Sequence, residues 1–204
     1  MISMYIGSGD VAALLSGKDT QTHQKLLQRF VSGEKPYYNA KASPIDALRT
    51  GAILEDRYLL TLPDNFFPQW VVVSNEMDVF KASLDFAKIE GGEVVDFEEL
   101  KSINICDYLD MINLEYDSLI KHIKKNYKKY YNQIQQQLFV TGLSECTMVF
   151  LSVMSYDDTE NYLRDILPNE YMKVRIYRDE EVIERIKERG QIFQQIKDNY
   201  VTKN

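Results

Sequence analysis

The sequence predicts an α/β fold, a mixed central β-sheet flanked by helices. Three observations predict it. Stretches with helical apolar periodicity alternate with β-rich apolar runs in the order helix, strands, helix, strands, helix. Two of the runs are joined by Glu90-Gly91-Gly92-Glu93, a hairpin turn in which glycine supplies positive φ. The chain has 204 residues, 45% hydrophobic and 27% charged, enough to bury a core as one domain over residues 1–204.

Taken in order, Asp10 to Leu15 reads as a short helix after the Gly-rich start Ile6-Gly7-Ser8-Gly9. A second helix runs from about Thr22 to Val31 and stops at Gly33. A third begins at Ser43-Pro44, an N-cap followed by proline at the first helical position, with Asp46 completing a box-like start; it should end before Pro63. Trp70 to Val73, Asp78 to Asp85 and Glu93 to Lys101 read as three strands. A long helical stretch follows, roughly Tyr108 to Thr141, with room for one break and Gly142 as its C-cap. Cys146 to Met154 and Met172 to Tyr177 are further strands. The final helix, Asp179 to Tyr200, carries Val182, Ile183, Ile186, Phe193 and Ile196 as its apolar set.

Composition excludes several classes. Fourteen tyrosines and 12% aromatics argue against disorder. No run of about 18 apolar residues exists to span a membrane as a helix, and Met1 to Asp10 lacks the basic start and apolar stretch of a signal peptide. Cys106 and Cys146 make neither a disulfide framework nor a thiolate metal site, which fits a reduced, cytoplasmic protein. The net charge of −7 disfavours nucleic acid only if the basic residues are evenly spread. They are not: Lys121, His122, Lys124, Lys125, Lys128 and Lys129 cluster with Tyr127, Tyr130 and Tyr131. That cluster suits a DNA backbone and its bases, or equally a solvated helix face.

The sharpest chemical feature is Asp85, followed across the hairpin by Glu99-Leu100-Lys101. Residues two apart on a strand share a face, so Glu99 and Lys101 face one way and Leu100 the other, into the core. A carboxylate from each of two adjacent strands can hold one hard divalent cation, and a lysine beside them can orient or deprotonate a water. The same residues also read as a charged hairpin on a solvated surface, with Glu98-Glu99 an ordinary acidic pair. Glu55 falls on a helical stripe with Leu48, Ala52 and Leu59, where a carboxylate either meets a metal-bound water or basic group or reaches solvent at the stripe's edge. Gln133, Gln135, Gln136 and Gln137 offer donors and acceptors to a carboxylate, a water or a phosphate, or form a polar helix face.

The run Gln-x-Gln-x-x-Leu-x-Val-Thr-Gly over Gln133 to Gly142, preceded by Tyr130-Tyr131, resembles lambda exonuclease and the YqaJ-like viral recombinases, nucleases with the PD-(D/E)xK core. Gly51-x-x-x-Glu55, Ala82-Ser83-Leu84-Asp85, Glu99-Leu100-Lys101, the opening Ile6-Gly7-Ser8-Gly9-Asp10 and the closing Arg178-Asp179-Glu180 resemble that family's motifs in the same order along nearly the whole chain. The resemblance implies a restriction-endonuclease-like core and a 5′ to 3′ exonuclease on linear double-stranded DNA, acting in phage-type recombination. It implies one or two Mg²⁺ or Mn²⁺ ions held by Asp85, Glu99 and the Leu100 carbonyl, with Glu55 at a second site. Lys101 would activate water, with Gln133 at the active site and Gln135 close by. Arg49, Gln135, Lys124, Lys125, Lys128 and Lys129 are the expected DNA contacts. A single-strand annealing protein and a homotrimer are the implied partners, and a phage-encoded enzyme would work in the host bacterial cytoplasm. Leu84 and Phe86 stand where the family has Pro and Gly, Ser8-Gly9 has the reverse order of the family's Gly-Ser, and residues 1–10 lack its phosphate-gripping arginine. RecB- or Cas4-like nucleases share the core, but many hold an iron–sulfur cluster with four cysteines, and this chain has 2. A catalytically impaired DNA-binding or protein-interaction module on the same fold is the alternative of another class.

Overall fold

Six strands form one mixed sheet: β1 (Ile6–Gly7), β2 (Phe66–Val73), β3 (Phe80–Glu90), β4 (Glu93–Asn104), β5 (Glu145–Val153) and β6 (Tyr171–Tyr177). The computed structural model describes residues 4–33, 45–154 and 163–203, for 45–48 and 203 the backbone alone. The strand order is β1-β3-β4-β5-β6, with β2 also paired to β3; β1–β3 and β4–β5 are parallel and the other pairs antiparallel. The expected mixed sheet is therefore present. Seven helices accompany it among the described residues: α1 (Val11–Leu14), α2 (Gln21–Ser32), α3 (Ile45–Leu59), α4 (Ile105–Ile112), α5 (Tyr116–Asn126), α6 (Lys128–Thr141) and α7 (Glu180–Lys203).

The register of β3 reveals a fork. Lys81 pairs with Gly7 of β1 and with Val73 of β2, so β1 and β2 lie on opposite edges of β3. Phe86 pairs with Pro68 of β2 and Glu98 of β4, so β4 shares the β1 edge. Along that edge β1 serves residues 80–81 and β4 serves residues 86–90. Residues 82–85 have no strand partner there, while β4 leaves to run parallel with β5 from Glu98 to Asn104.

Helix α6 lies over this fork. Gln136 Nε2 donates to Ile6 O at 3.2 Å and Lys81 O at 3.4 Å, and Gln137 Nε2 donates to Ser83 O at 3.2 Å. Buried main-chain carbonyls that lose a ladder partner need another donor, and these side-chain amides supply it. The sheet separates two apolar cores. The larger packs Phe30 of α2, Ile123 of α5, Ile134 and Leu138 of α6, and Ile183 and Phe193 of α7 against Phe80, Leu84, Phe97 and Phe150. The smaller packs Leu54 and Tyr58 of α3 against Phe86, Leu100, Val149 and Leu151. Strand β5 alternates between them, which explains its almost unbroken apolar run.

Several boundaries differ from expectation. The stretch expected to be helical over 108–141 with room for one break has two and is three helices, beginning at Ile105 and broken at residues 113–115 and at Tyr127. The breaks are turns of φ/ψ that leave apolar spacing nearly in phase, so periodicity does not mark them. Asn104 Oδ1 caps the first of the three by accepting from Cys106 N at 2.9 Å. The β2 strand starts at Phe66 rather than Trp70, despite Pro68, because it pairs only with β3. The β3 strand continues to Glu90, so Asp85 lies within it, not beside the turn. The opening Ile6-Gly7 is a short strand before the expected short helix. The expected N-cap and first turn at Ser43-Pro44 lie outside the described residues, as does the Asp46 side chain. No helix is long and apolar enough to cross a membrane among the described residues.

Gly190, inside α7, marks a close approach to the sheet. A Cβ there would lie 2.3 Å from Cζ of Phe80, whose ring is fully buried. Ala normally favours a helix interior over Gly by about 1 kcal/mol. Here overpacking should cost about 1–3 kcal/mol, and Gly190→Ala should therefore lower the urea midpoint. An unchanged or higher midpoint would show that α7 can shift away from Phe80.

Candidate active site

Adjacent residues of β4 face opposite cores. Leu100 packs in the smaller core with Leu54, Tyr58 and Phe86, as its alternation predicts. Glu98 shares that side, where the Tyr58 hydroxyl donates to Oε2 at 2.5 Å and Lys173 Nζ lies 2.8 Å from Oε1. Glu99 and Lys101 project to the α6 side, and Lys101 Nζ lies 2.6 Å from Glu99 Oε1. The acidic pair is thus divided: Glu98 serves the fold, and Glu99 faces the fork.

Asp85 reaches the same place from β3. Ala82 and Leu84 enter the larger core but Phe86 enters the smaller, so the strand's alternation changes phase at Asp85. Its side chain is directed across the fork, where Oδ2 accepts from Leu100 N at 3.0 Å and lies 3.9 Å from Lys101 Nζ. A strand residue's N–H and C=O leave by the same edge, so the Leu100 carbonyl also opens toward the fork.

Helix α6 completes the site. Gln133 Nε2 donates to Glu99 Oε1, and Gln137 Nε2 donates to Glu99 Oε2 at 2.7 Å. Lys101 Nζ stands 5.4 Å from the Tyr130 ring centroid. The i, i+4 spacing places Gln133 and Gln137 on one helical face, whereas i, i+2 places Gln135 elsewhere. Gln135 is fully buried, donates to Tyr177 O at 3.0 Å and accepts from Asp179 N at 2.7 Å. It joins α6 to the start of α7 and has no free edge for DNA, contrary to expectation. Gln137, not among the expected site residues, takes the inner position; helical spacing from Gln133 would have found it.

Glu55 arrives from α3. Its expected stripe is corrected: Leu54 and Tyr58 are the buried neighbours, Ala52 is exposed, and the Leu48 side chain lies outside the described residues. Glu55 flanks this buried row, and Gln69 Nε2 donates to its Oε2 at 3.1 Å. Arg49 is exposed, six residues earlier and so about 120° around the helix from Glu55. Lys124 is bound to Asp179 at 2.8 Å and stands over the Tyr131 ring. Lys125, Lys128 and Lys129 are exposed; Lys129 lies one turn before Gln133, on the same face of α6.

The carboxylates repel one another. Burial pushes the Asp85 carboxyl well above its usual range, Glu99 and Glu55 add to this, and Lys101 with the Leu100 N–H opposes it. Burial also raises Glu55, with Lys101 opposing and Glu99 adding. Burial alone would lower Lys101, but Glu99 and Asp85 outweigh it and keep the ammonium protonated above its ordinary range. Lys101 in this arrangement donates a hydrogen bond to Glu99 and offsets the charge of both acids. The oxygen donors of Asp85, Glu99 and Leu100 suit Mg²⁺ or Mn²⁺, and an ion there would relieve the repulsion. No group of three or more His, Cys, Asp or Glu side chains is arranged to hold a metal by itself among the described residues. Two carboxylates, a carbonyl and waters nevertheless satisfy Mg²⁺, which characteristically retains several waters.

The fold is shared with exonucleases of known structure. An alkaline exonuclease from Laribacter hongkongensis superposes with a TM-score of 0.60 over 99% of this chain and 93% of its own, at 17% identity. A phage-related exonuclease from Haemophilus somnus superposes with a TM-score of 0.61 over 98% of this chain and 96% of its own, at 14% identity. No protein-family model matches the chain, and no curated protein matches it in sequence. The expected nuclease-like fold is thus present.

The two glutamines that hold Glu99 should differ in their weight on stability. Gln137→Leu should leave the Ser83 carbonyl unpaired and cost about 1–3 kcal/mol in urea denaturation. Gln133→Leu, at the partly exposed end of the face, should stay within about 0.5 kcal/mol of the parent. Equal losses would remove Gln137's part in sealing the fork.

Asp85 should trade stability for charge. A carboxyl whose folded pKa is raised favours the fold at low pH, and that contribution is lost as pH rises through the raised value. Asp85→Asn, neutral and still able to accept from Leu100 N, should therefore raise the melting temperature at pH 8 in chelator. The gain should shrink toward pH 4; a lower melting temperature at pH 8 would contradict the repulsion.

Proposed function

We propose that this chain is a metal-dependent DNA exonuclease that removes nucleotides from one strand of a linear duplex, 5′ to 3′, in phage-type recombination. The observation that carries the reading is the convergence of Asp85, Glu99 and Lys101 at one fork, with Gln133 and Glu55 at its margins. Its fold likeness to two exonucleases supports it, one of which is also known in complex with dAMP, a nucleoside monophosphate of the kind exonucleases release. A trimer and a single-strand annealing partner extend the reading by resemblance alone.

Asp85, Glu99 and the Leu100 carbonyl would hold Mg²⁺ or Mn²⁺, with Glu55 toward a second ion. The ion would supply a water of lowered pKa and stabilise charge on the attacked phosphate. Lys101, beside both carboxylates, would orient the water and offset phosphate charge. Gln133 and Gln137 fix the Glu99 carboxylate in the fork. Lys125, Lys128 and Lys129 present exposed ammonium groups to the DNA backbone, and the first turn of α6 adds its positive end.

Digestion of linear duplex labelled at the 5′ or 3′ end, with and without Mg²⁺, tests this. Label should be released from the 5′ end only when the ion is present. Lys101→Ala should lower the rate by at least about 100-fold, with circular dichroism and DNA binding close to parental. Lys101→Arg should recover little, since the planar guanidinium cannot take the ammonium's place. Near-parental cleavage by Lys101→Ala would reject the mechanism, and no cleavage by the parent with either ion would reject the function.

A further inference from the structure

Gln69 is the one non-glycine residue with positive φ among the described residues, at 52°. Pro68 pairs with Phe86 and Trp70 with Leu84, so Gln69 stands across from Asp85. A left-handed glutamine is strained and persists only where its surroundings hold it. Here Nε2 donates to Glu55 Oε2 at 3.1 Å, and Oε1 accepts from Ser83 Oγ at 3.2 Å. The kink has a visible consequence. Residues three apart on a regular strand face opposite sides, yet the Phe67 and Trp70 rings lie 5.9 Å apart, tilted by 53°. Both remain open to solvent, 42% and 38% exposed, while Phe66 and Val72 on the same strand pack against the two cores.

An exposed aromatic pair on an edge strand invites a second chain. Pro68, without an N–H, and the kink at Gln69 both blunt this edge against strand addition. The pair is instead continuous with the carboxylates through Gln69 and Glu55. Aromatic faces beside a phosphodiester-cleaving site stack nucleobases of any sequence. Paired bases inside a duplex hide their faces, so the ligand must present unpaired bases. We propose that Phe67 and Trp70 form a stacking platform for unpaired bases of a DNA strand that leaves the fork past Glu55 and Gln69 onto the β2 edge, which makes a single-stranded segment part of the substrate. This rests on the nuclease reading above.

Trp70 is the only tryptophan in the chain, so its fluorescence reports directly on the platform. The full chain, in chelator to prevent hydrolysis, is titrated with a short oligothymidylate and with an abasic oligonucleotide of equal length. The base-bearing strand should quench Trp70, and the abasic strand should leave the emission unchanged. By anisotropy, Trp70→Ala should bind the oligothymidylate roughly 5- to 100-fold more weakly, and Phe67→Ala should weaken it also. Trp70→Phe, which keeps an aromatic face, should bind within about threefold of the parent. Equal quenching by both strands, or parental affinity in Trp70→Ala, would overturn the platform. So would sedimentation showing self-association that Trp70→Ala abolishes, since the pair would then be a contact between copies. The end-labelled duplex assay on the parent is a separate measurement: cleavage with no base-dependent quenching fails the platform alone, and absent cleavage fails the nuclease reading.

Discussion

Where β3 and β4 part, a stretch of buried β3 backbone has no neighbouring strand on one edge, and a side chain must replace what a ladder would supply. The consecutive glutamines of α6 do this. Gln136 binds carbonyls of β1 and β3, and Gln137 binds a β3 carbonyl and Glu99 together. A helix presents successive residues about 100° apart, so three buried glutamines in a row can each meet a different neighbour. Gln135 reaches the β6–α7 junction, Gln136 the β1 side of the fork and Gln137 its floor. Leucine in any of these positions would fill the space and leave main-chain polar groups unpaired.

The same opening provides the chemistry. In a closed ladder Asp85 would lie opposite Glu99 as one more cross-strand pair, and two like charges in that position repel. In the fork Asp85 turns toward β4 and is held by the Leu100 N–H. Lys101 lies close to both acids and keeps its proton because of them. Two carboxylates, with Glu55 near them, thus share one lysine. Such strain is common where function requires a charged group with raised energy.

The opposite face of the sheet is arranged to close. Glu98 is matched by Tyr58 and Lys173, and Arg175 joins Asp96, Thr147 and Glu145. These contacts tie β4, β5, β6 and α3 together, and they hold rigid the strand that presents Glu99 and Lys101. Glu98 is held by groups of the sheet and α3, whereas Glu99 is held by side chains that line the gap between the strands.

The sequence by itself determined the fold class, most of the strands, the final helix with its buried Ile183, Ile186 and Phe193, and the placement of Glu99 and Lys101 on one face with Leu100 turned away. These follow from local periodicity: a strand alternates every 2 residues and a helix every 3.6. The tertiary structure alone decided that β3 and β4 diverge before Asp85, that Glu98 and Glu99 have different duties, that Gln137 and not Gln135 belongs to the site, and that Gln69 is kinked against Glu55. Each of these depends on partners far away in the chain, such as Tyr58 with Glu98, Gln137 with Ser83 and Gln69 with Glu55. Local pattern tells which way a side chain faces, but the identity of what it meets is set only when distant segments pack together.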